Sequence, residues 1–314
     1  MMKDNYKQFT SITIVSQFIG VLVLIAFAFS SHFSHGQSSL SRETVVLTVS
    51  SILDSDLEEC SGAVFFDENS LLVHNDGGNA PRLFRVGVND GRIIQEAEVK
   101  GKDNKDWEDI AEGPDAWYIG DFGNNGNGKR TDLRVLKILK SEWEEDKKFG
   151  VKAKSIKFDY PEQDMEAKKS KPQSTNWDCE SLIWFDGELH LFTKEWSSHK
   201  TKHYVLPTEP GEFYAKLLEE FDVQGMVTGA SVTEKGRLVL LGYSSLGLGF
   251  LWSFEGDKGM WFNSDKRKYN LGSVNSIGQV EGVVMKSETI GYITSERWEH
   301  KKHKVSPTIY RFEL

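Results

Sequence analysis

The sequence predicts an all-β protein folded as a five-bladed β-propeller. Three observations carry that expectation. Past residue 45 the chain breaks into short runs rich in Val, Ile, Phe, Tyr and Trp, bounded by Gly, Asn and Asp. No long amphipathic helix interrupts them. One supersecondary unit then recurs at intervals the length of a propeller blade, with constant internal spacing.

Taken in order, the runs that read as strands are 45–52, 63–66, 70–74, 116–120, 133–139, 155–160, 182–185, 188–193, 237–242, 250–254, 282–285, 290–294 and 308–312. The repeat lies across them. Ser61-Gly-Ala-Val, Glu108-Asp-Ile-Ala, Glu180-Ser-Leu-Ile, Thr228-Gly-Ala-Ser and Glu281-Gly-Val-Val each set an oxygen-bearing residue before a mostly apolar strand. Their spacings are 47, 72, 48 and 53 residues. Each is followed by a turn and a second strand: SLLVHND, AWYIGDF, ELHLFTK, RLVLLGY and TIGYITS. His74, Asp121, Thr193 and Thr294 each fall 13 residues after the first polar residue of their unit. The 72-residue interval carries two charged stretches, 141–154 and 162–176, expected to be solvated loops. The last unit is one strand short, so 45–52 is expected to complete it and close the ring, removing open sheet edges. A six-bladed ring, with the long 72-residue interval hiding a blade, is the alternative.

The first 36 residues read as a targeting segment. A mildly basic start precedes Phe18–Phe29, an apolar run too short for a comfortable membrane span and suited to a secretory signal. Ser34 and Gly36 suit cleavage before Gln37. An uncleaved anchor reaching back to Ile12 is the alternative. Residues 37–44 would then be a linker and 45–314 the propeller, working outside the cytoplasm in the periplasm or beyond, with no stable membrane span after cleavage.

Of 314 residues, 38 are Lys or Arg and 47 Asp or Glu, a net charge of −9. That excludes broad electrostatic binding to nucleic acid polymers or anionic membranes. Hydrophobic residues at 39% supply a large core. Two cysteines exclude a disulfide scaffold or a Cys-based zinc site. Cys60 and Cys179 fall on non-adjacent blades, too far apart to pair, and are expected as buried free thiols. A monomer is expected. Most of the nine tryptophans should fill space between blades.

In a propeller the first strand of each blade lines the central channel. Ser61, Glu108, Glu180, Thr228 and Glu281 should therefore ring one mouth. The ends of the second strands should bring His74, Asn75, Asp76, Asp121, Asn124, Lys194, Ser244, Glu296 and Arg297 to the same face. Carboxylates around a narrow channel repel, the more so when buried. Protonation, basic partners or a cation would relieve them, and oxygen-only ligands suit Ca2+ better than Zn2+. Backbone N–H groups and waters could satisfy them instead.

These first-strand starts, with LLVHND and WYIGDFG behind the first two, resemble the calcium-activated nucleotidase (apyrase) family. That resemblance implies a five-bladed propeller with a central Ca2+, and Ser61, Glu108, Glu180 and Glu281 as its ligands. HNDGGN, DWEDIAEG and YIGDFGNN also resemble extracytoplasmic bacterial propellers described as phytase-like or esterase-like. Few basic residues flank the predicted mouth: Lys194, Arg297, Arg82 and Arg130.

His74 beside Asp76 is a candidate general base, with Asp121 assisting, although Asn75-Asp76-Gly77-Gly78 is also strong turn chemistry. Asn75, Asn124, Lys194, Glu296 and Arg297 are candidate ligand contacts. No Gly-x-Ser-x-Gly or HExxH occurs. Two functions follow as expectations. One is an exported Ca2+-dependent hydrolase of phosphorylated small molecules. The other is a binding or scaffold propeller with a structural metal that recognises a small molecule, glycan or peptide.

Overall fold

The computed structural model describes residues 43–166, 171–256 and 258–314. The expected signal segment lies outside the described residues. Five sheets of four or five strands, each in up-and-down order, form the blades. Blade 1 runs outward from the axis through Cys60–Asp67, Ser70–Asn75, Arg82–Gly87 and Ile93–Lys100; blade 2 through Trp107–Glu112, Ala116–Asp121, Arg134–Leu139 and Lys154–Asp159. Blade 3 is Asp178–Phe185, Glu188–Lys194, Thr201–Pro207 and Lys216–Phe221; blade 4 is Met226–Val232, Leu238–Tyr243, Leu248–Phe254 and Lys266–Ser273. Blade 5 takes Gln279–Met285, Ile290–Glu296 and Thr308–Glu313 from the C-terminus and its outer strand, Thr48–Ile52, from the N-terminus. The ring is thus closed by antiparallel pairing of Thr48 with Arg311 and Ile52 with Thr308.

The long 72-residue interval does not hide a sixth blade. Lys148–Lys152, within a stretch expected to be a solvated loop, adds a parallel strand outside Ile93–Lys100 of blade 1. Gly211–Tyr214 does the same for Lys154–Asp159 of blade 2. The expected closing strand 45–52 is split. Glu43–Thr44, placed in the linker by sequence, pairs with the outer strand of blade 4, and Thr48–Ile52 pairs in blade 5.

Five apolar clusters hold the ring together, one between each pair of neighbouring blades. Inner strands are therefore buried on both faces, which is why they read as apolar runs rather than alternating ones. Trp107 and Trp117 fill the space between blades 1 and 2, and Trp252 and Trp261 that between blades 3 and 4. Cys60 and Cys179 are buried and unbridged. No helix among the described residues is long and apolar enough to cross a membrane.

Candidate metal centre at the polar mouth

Each inner strand departs from regular pairing at the same place. The register slips across Ser61-Gly62, Glu108, Glu180, Thr228 and Glu281, so every ring residue belongs to a β-bulge. A bulge leaves its extra residue unpaired and re-aims the side chain. The repeat read in the sequence is this bulge, made five times. Blades also approach closely here. A Cβ on Gly62 would lie 2.6 Å from the Ile110 nitrogen, one on Gly229 2.3 Å from the Glu281 carbonyl, and one on Gly282 2.5 Å from the Ser61 carbonyl. The glycine of the SG, TG and EG pairs is required by the next blade's backbone.

The two ring hydroxyls stitch blades. Ser61 Oγ donates to the Glu108 carbonyl, and Thr228 Oγ1 donates to the Val280 carbonyl at 2.8 Å. The ring carboxylates differ. Glu108, Glu180 and Glu281 are all buried, yet Glu108 Oε1 and Glu281 Oε2 meet no hydrogen-bond partner. Oxygens of Glu108, Asp178 and Glu180 lie within 4.8 Å of one another, and so do those of Asp76, Asp106 and Glu108. Glu281 stands beside the groups and accepts Gln279 Nε2 at 2.5 Å.

Asp106 and Asp178 were not among the residues singled out from sequence. Both precede a ring glutamate by two positions, in Asp106-Trp107-Glu108 and Asp178-Cys179-Glu180, and that repeated D-x-E was the available signal. Asp178 is fixed from two loops. Its Oδ1 accepts the Asn124 N–H at 2.6 Å and its Oδ2 accepts Trp196 Nε1 at 2.7 Å.

Burial, then mutual repulsion, pushes these carboxyls up: Asp76 to about 7, Asp106 to about 6, and Glu108 well above the usual range. In Glu281, raised to about 7, and in Glu180 and Glu296, both well above the usual range, burial again leads, with Lys194 opposing. Asp178 is raised by burial against Lys194 and its two hydrogen bonds. Lys194 is the only buried Lys or Arg among the described residues. Burial disfavours its charge, but Glu180, 3.1 Å away, and Glu281 hold it protonated, and its Nζ lies over the Trp196 and Tyr243 rings.

Several predicted contacts sit elsewhere or are already engaged. Lys194, expected to meet a ligand, is an internal counter-ion of the ring. Asp121, expected to assist as a base, is fully buried and clamped by Arg130 and Arg134 at 2.5 and 2.6 Å. Arg130 also holds the Gly123 carbonyl at 3.1 Å, and its own N–H donates to Asn124 Oδ1 at 3.0 Å. Arg297 pairs with Glu58 and Glu299 outside the mouth. Arg82 pairs with Glu96.

His74 does not reach the mouth. It is fully buried, its ring meets Trp107 edge-on at 5.6 Å, and its Nδ1 lies 3.0 Å from the Asn75 carbonyl. Burial lowers it to about 4, so it is neutral near pH 7. Asn75 Nδ2 donates to the Asp56 carbonyl at 2.8 Å, and Asn104 binds the Asn75 and Asp76 carbonyls. Asp76 remains half-exposed at the rim, as does Glu296, which shares the field of Glu281 and Asp76.

Beneath the ring the channel changes character. Asp109, fully buried, accepts the Ile110 and Leu182 N–H groups at 2.9 Å each and ties blade 2 to blade 3. Beyond it a cavity of about 150 Å3 is lined by apolar side chains including Ala63, Ile110, Leu182, Ala230 and Val283.

No family model and no curated protein matches the sequence. Solved structures do resemble the chain. The PQQ-bound aldose sugar dehydrogenase from Streptomyces coelicolor is 13% identical over 85% of this chain and 97% of its own, with a TM-score of 0.51. That likeness shows the propeller fold and nothing of the chemistry. A calcium-binding protein, regucalcin, from Agrobacterium tumefaciens aligns at 11% identity over 86% of this chain and 96% of its own, with a TM-score of 0.43.

Proposed function

We propose that this protein is an exported Ca2+-binding propeller that hydrolyses small phosphorylated molecules at its carboxylate mouth. One observation carries the metal: buried Glu108 Oε1 and Glu281 Oε2 lack hydrogen-bond partners amid converging carboxyls. Such oxygens are costly unless protonated or bound to a cation. Glu108, Asp178 and Glu180 would hold the ion, with Glu281 beside them. An oxygen-only donor set of this kind fits Ca2+. The ion would supply Lewis-acid polarisation of a substrate oxygen. Asp76 and Asp106, partly buried and less so than Glu108, would accept a proton from an attacking water. The resemblance to calcium-activated nucleotidases and phytase-like propellers supports the same reading. The apolar run at 18–29 supports export.

One observation favours the binding-protein reading. Lys194, Arg130, Arg134 and Arg297 are all committed to carboxylates, so no cationic side chain among them is left for a phosphate. Metal analysis of the purified protein, thermal melting with chelator and with Ca2+, and a panel of phosphomonoesters, phosphoanhydrides and simple esters separate the readings. Ca2+-dependent turnover is expected, with a melting temperature that falls on chelation and recovers with Ca2+ by mass action. Ca2+-linked stability without turnover leaves the binding protein. A melting curve indifferent to both additions, with no metal bound, sinks the site.

A further inference from the structure

We infer that the hairpin Trp298–Val305, together with the turn that carries Leu246, docks on an anionic lipid bilayer and turns the mouth face toward it. The inference is independent of what the mouth carboxylates hold. Three observations lead to it.

Placement is the first. Trp298–His300 and His303–Val305 pair as a two-stranded sheet outside the five blades. They leave blade 5 after Glu296 and return before Thr308, at the end of the blade where Gln279 pairs with Glu296 and the ring begins. Trp298 Nε1 donates to Asn275 Oδ1 at 3.0 Å, which seats the hairpin on the short helix Val274–Ile277. The Val274 N–H donates to the Gly247 carbonyl at 2.9 Å, so the turn between Leu238–Tyr243 and Leu248–Phe254 of blade 4 abuts the same helix. Hairpin, helix and turn form one continuous strip on the mouth face.

Charge is the second. Lys301, Lys302 and Lys304 are exposed, and among the described residues no hydrogen bond or ion pair engages their side chains. The hairpin's own carboxylate, Glu299 across from Lys304, is taken by Arg297 at 2.8 Å. Lys301 also stands in the left-handed region, at φ 56°, where a two-residue hairpin turn ordinarily has Asn or Gly. A lysine placed where the backbone disfavours it marks a position held for its side chain. The whole chain's charge of −9 opposes broad attraction to an anionic surface. Charges more than about 8 Å away are screened at physiological salt, so at contact the local sign decides.

Apolar exposure is the third. Leu246 is 83% exposed in its turn, and Leu248 beside it is 50% exposed. Turns ordinarily carry polar residues. A leucine there adds little to the core, and its transfer out of water is favourable. Leucines next to lysines, with half-buried Trp298 between them, make an interfacial anchor. The apolar groups enter the headgroup boundary while the ammonium groups meet lipid phosphates. A soluble polyanion would use the lysines and leave the leucines in water, so the strip fits a lipid surface.

The test is sedimentation with vesicles in chelator, so that no cation bridges the mouth carboxylates to lipid. The chain from Gln37 is used, since every strand of the ring follows it and the apolar run at 18–29 is then absent. Binding to mixed phosphatidylglycerol and phosphatidylcholine vesicles is expected, falling with added salt, and little binding to phosphatidylcholine alone. Lys301→Gln, Lys302→Gln and Lys304→Gln combined should weaken partitioning on the order of 10²-fold, about fivefold per lysine. Leu246→Ser should weaken it by roughly tenfold. A control that loses the same charge from outer strands, Lys152→Gln with Lys154→Gln and Lys216→Gln, should bind as the wild type does. Circular dichroism checks that each variant folds. No preference for anionic vesicles, or an equal loss in the control, overturns the proposal. Lysine-dependent binding that Leu246→Ser leaves unchanged overturns the lipid surface in favour of a soluble polyanion.

Discussion

The glycine at 123 shows how little room the mouth leaves. Its backbone conformation is not one reserved for glycine. What forbids a side chain is the pair of carboxylate oxygens already standing there. Gly123→Ala should therefore fold, since overpacking by one methyl costs about 1–3 kcal/mol. It should also push Glu108 and Asp106 apart and blunt the Ca2+-induced rise in melting temperature, measured in chelator and in saturating Ca2+. An undiminished rise would show that Glu108 is not a ligand. At this scale the repeat marked the bulge residues Ser61, Glu108, Glu180, Thr228 and Glu281, but Ser61, expected as a metal ligand, gives its hydroxyl to the Glu108 carbonyl because the next blade's backbone lies against it. Asp106 and Asp178 stayed hidden because they lie just ahead of the apolar run that locates each strand. His74 misled because consecutive residues of a strand point to opposite sides. The strand does end at the mouth, but this residue faces Trp107 between blades.

Among elements, the inner and second strands were readable because burial on both faces gives them uninterrupted apolar runs. Of the outer strands, only 45–52 and 155–160 were readable. Ile93–Lys100, Lys148–Lys152, Lys216–Phe221 and Lys266–Ser273 alternate Lys and Glu with apolar residues and lie half in solvent. Charged residues on such edges protect against pairing with other chains, and the same charges made them look like loops. The N-terminal pieces cover two edges at once, Glu43–Thr44 on blade 4 and Thr48–Ile52 on blade 5. A chain beginning at residue 53 should expose both and aggregate, or melt at markedly lower temperature, by light scattering and calorimetry. A chain beginning at Glu43 should not. Equal behaviour of the two would mean the ring is held shut by its inter-blade clusters alone.

For the whole molecule, the collected carboxyls set the response to pH. Asp76 and Glu281 are raised to about 7 and Asp106 to about 6, above their values in an unfolded chain. In the metal-free protein the folded state then holds protons the unfolded state has lost. That stabilisation is complete below about pH 4 and disappears as pH rises through 6 to 7. His74 and His190, lowered to about 4, and His203, also lowered, act in the opposite sense between their folded values and about 6.5. The carboxyls outnumber them. The melting temperature of the chelated protein should fall between pH 5 and 8, and Ca2+ should flatten that slope, restoring most at the alkaline end. A chelated protein that gains stability over this interval would mean the mouth carboxyls are paired in some other way. The five blades and their closure by an N-terminal strand were legible from the repeat. This charge balance was not, because it depends on which side chains the closed ring brings together.

The clasp between Thr48–Ile52 and Thr308–Glu313 also fixes an order of events during synthesis. Its first half is made before blades 1 to 4 and its second half after them. Blades 1 to 4 can form their own hairpins as they appear, but blade 5 has only its outer strand until the strands from Gln279 to Glu313 have been made. The nascent protein is therefore an open arc with an unfilled slot for most of its production. A long-range closure of this kind is slow compared with local hairpins. Until it occurs, Glu281 of blade 5 is kept apart from Glu108 and Glu180 of blades 2 and 3, and the arc lacks that share of the repulsion the finished ring must manage.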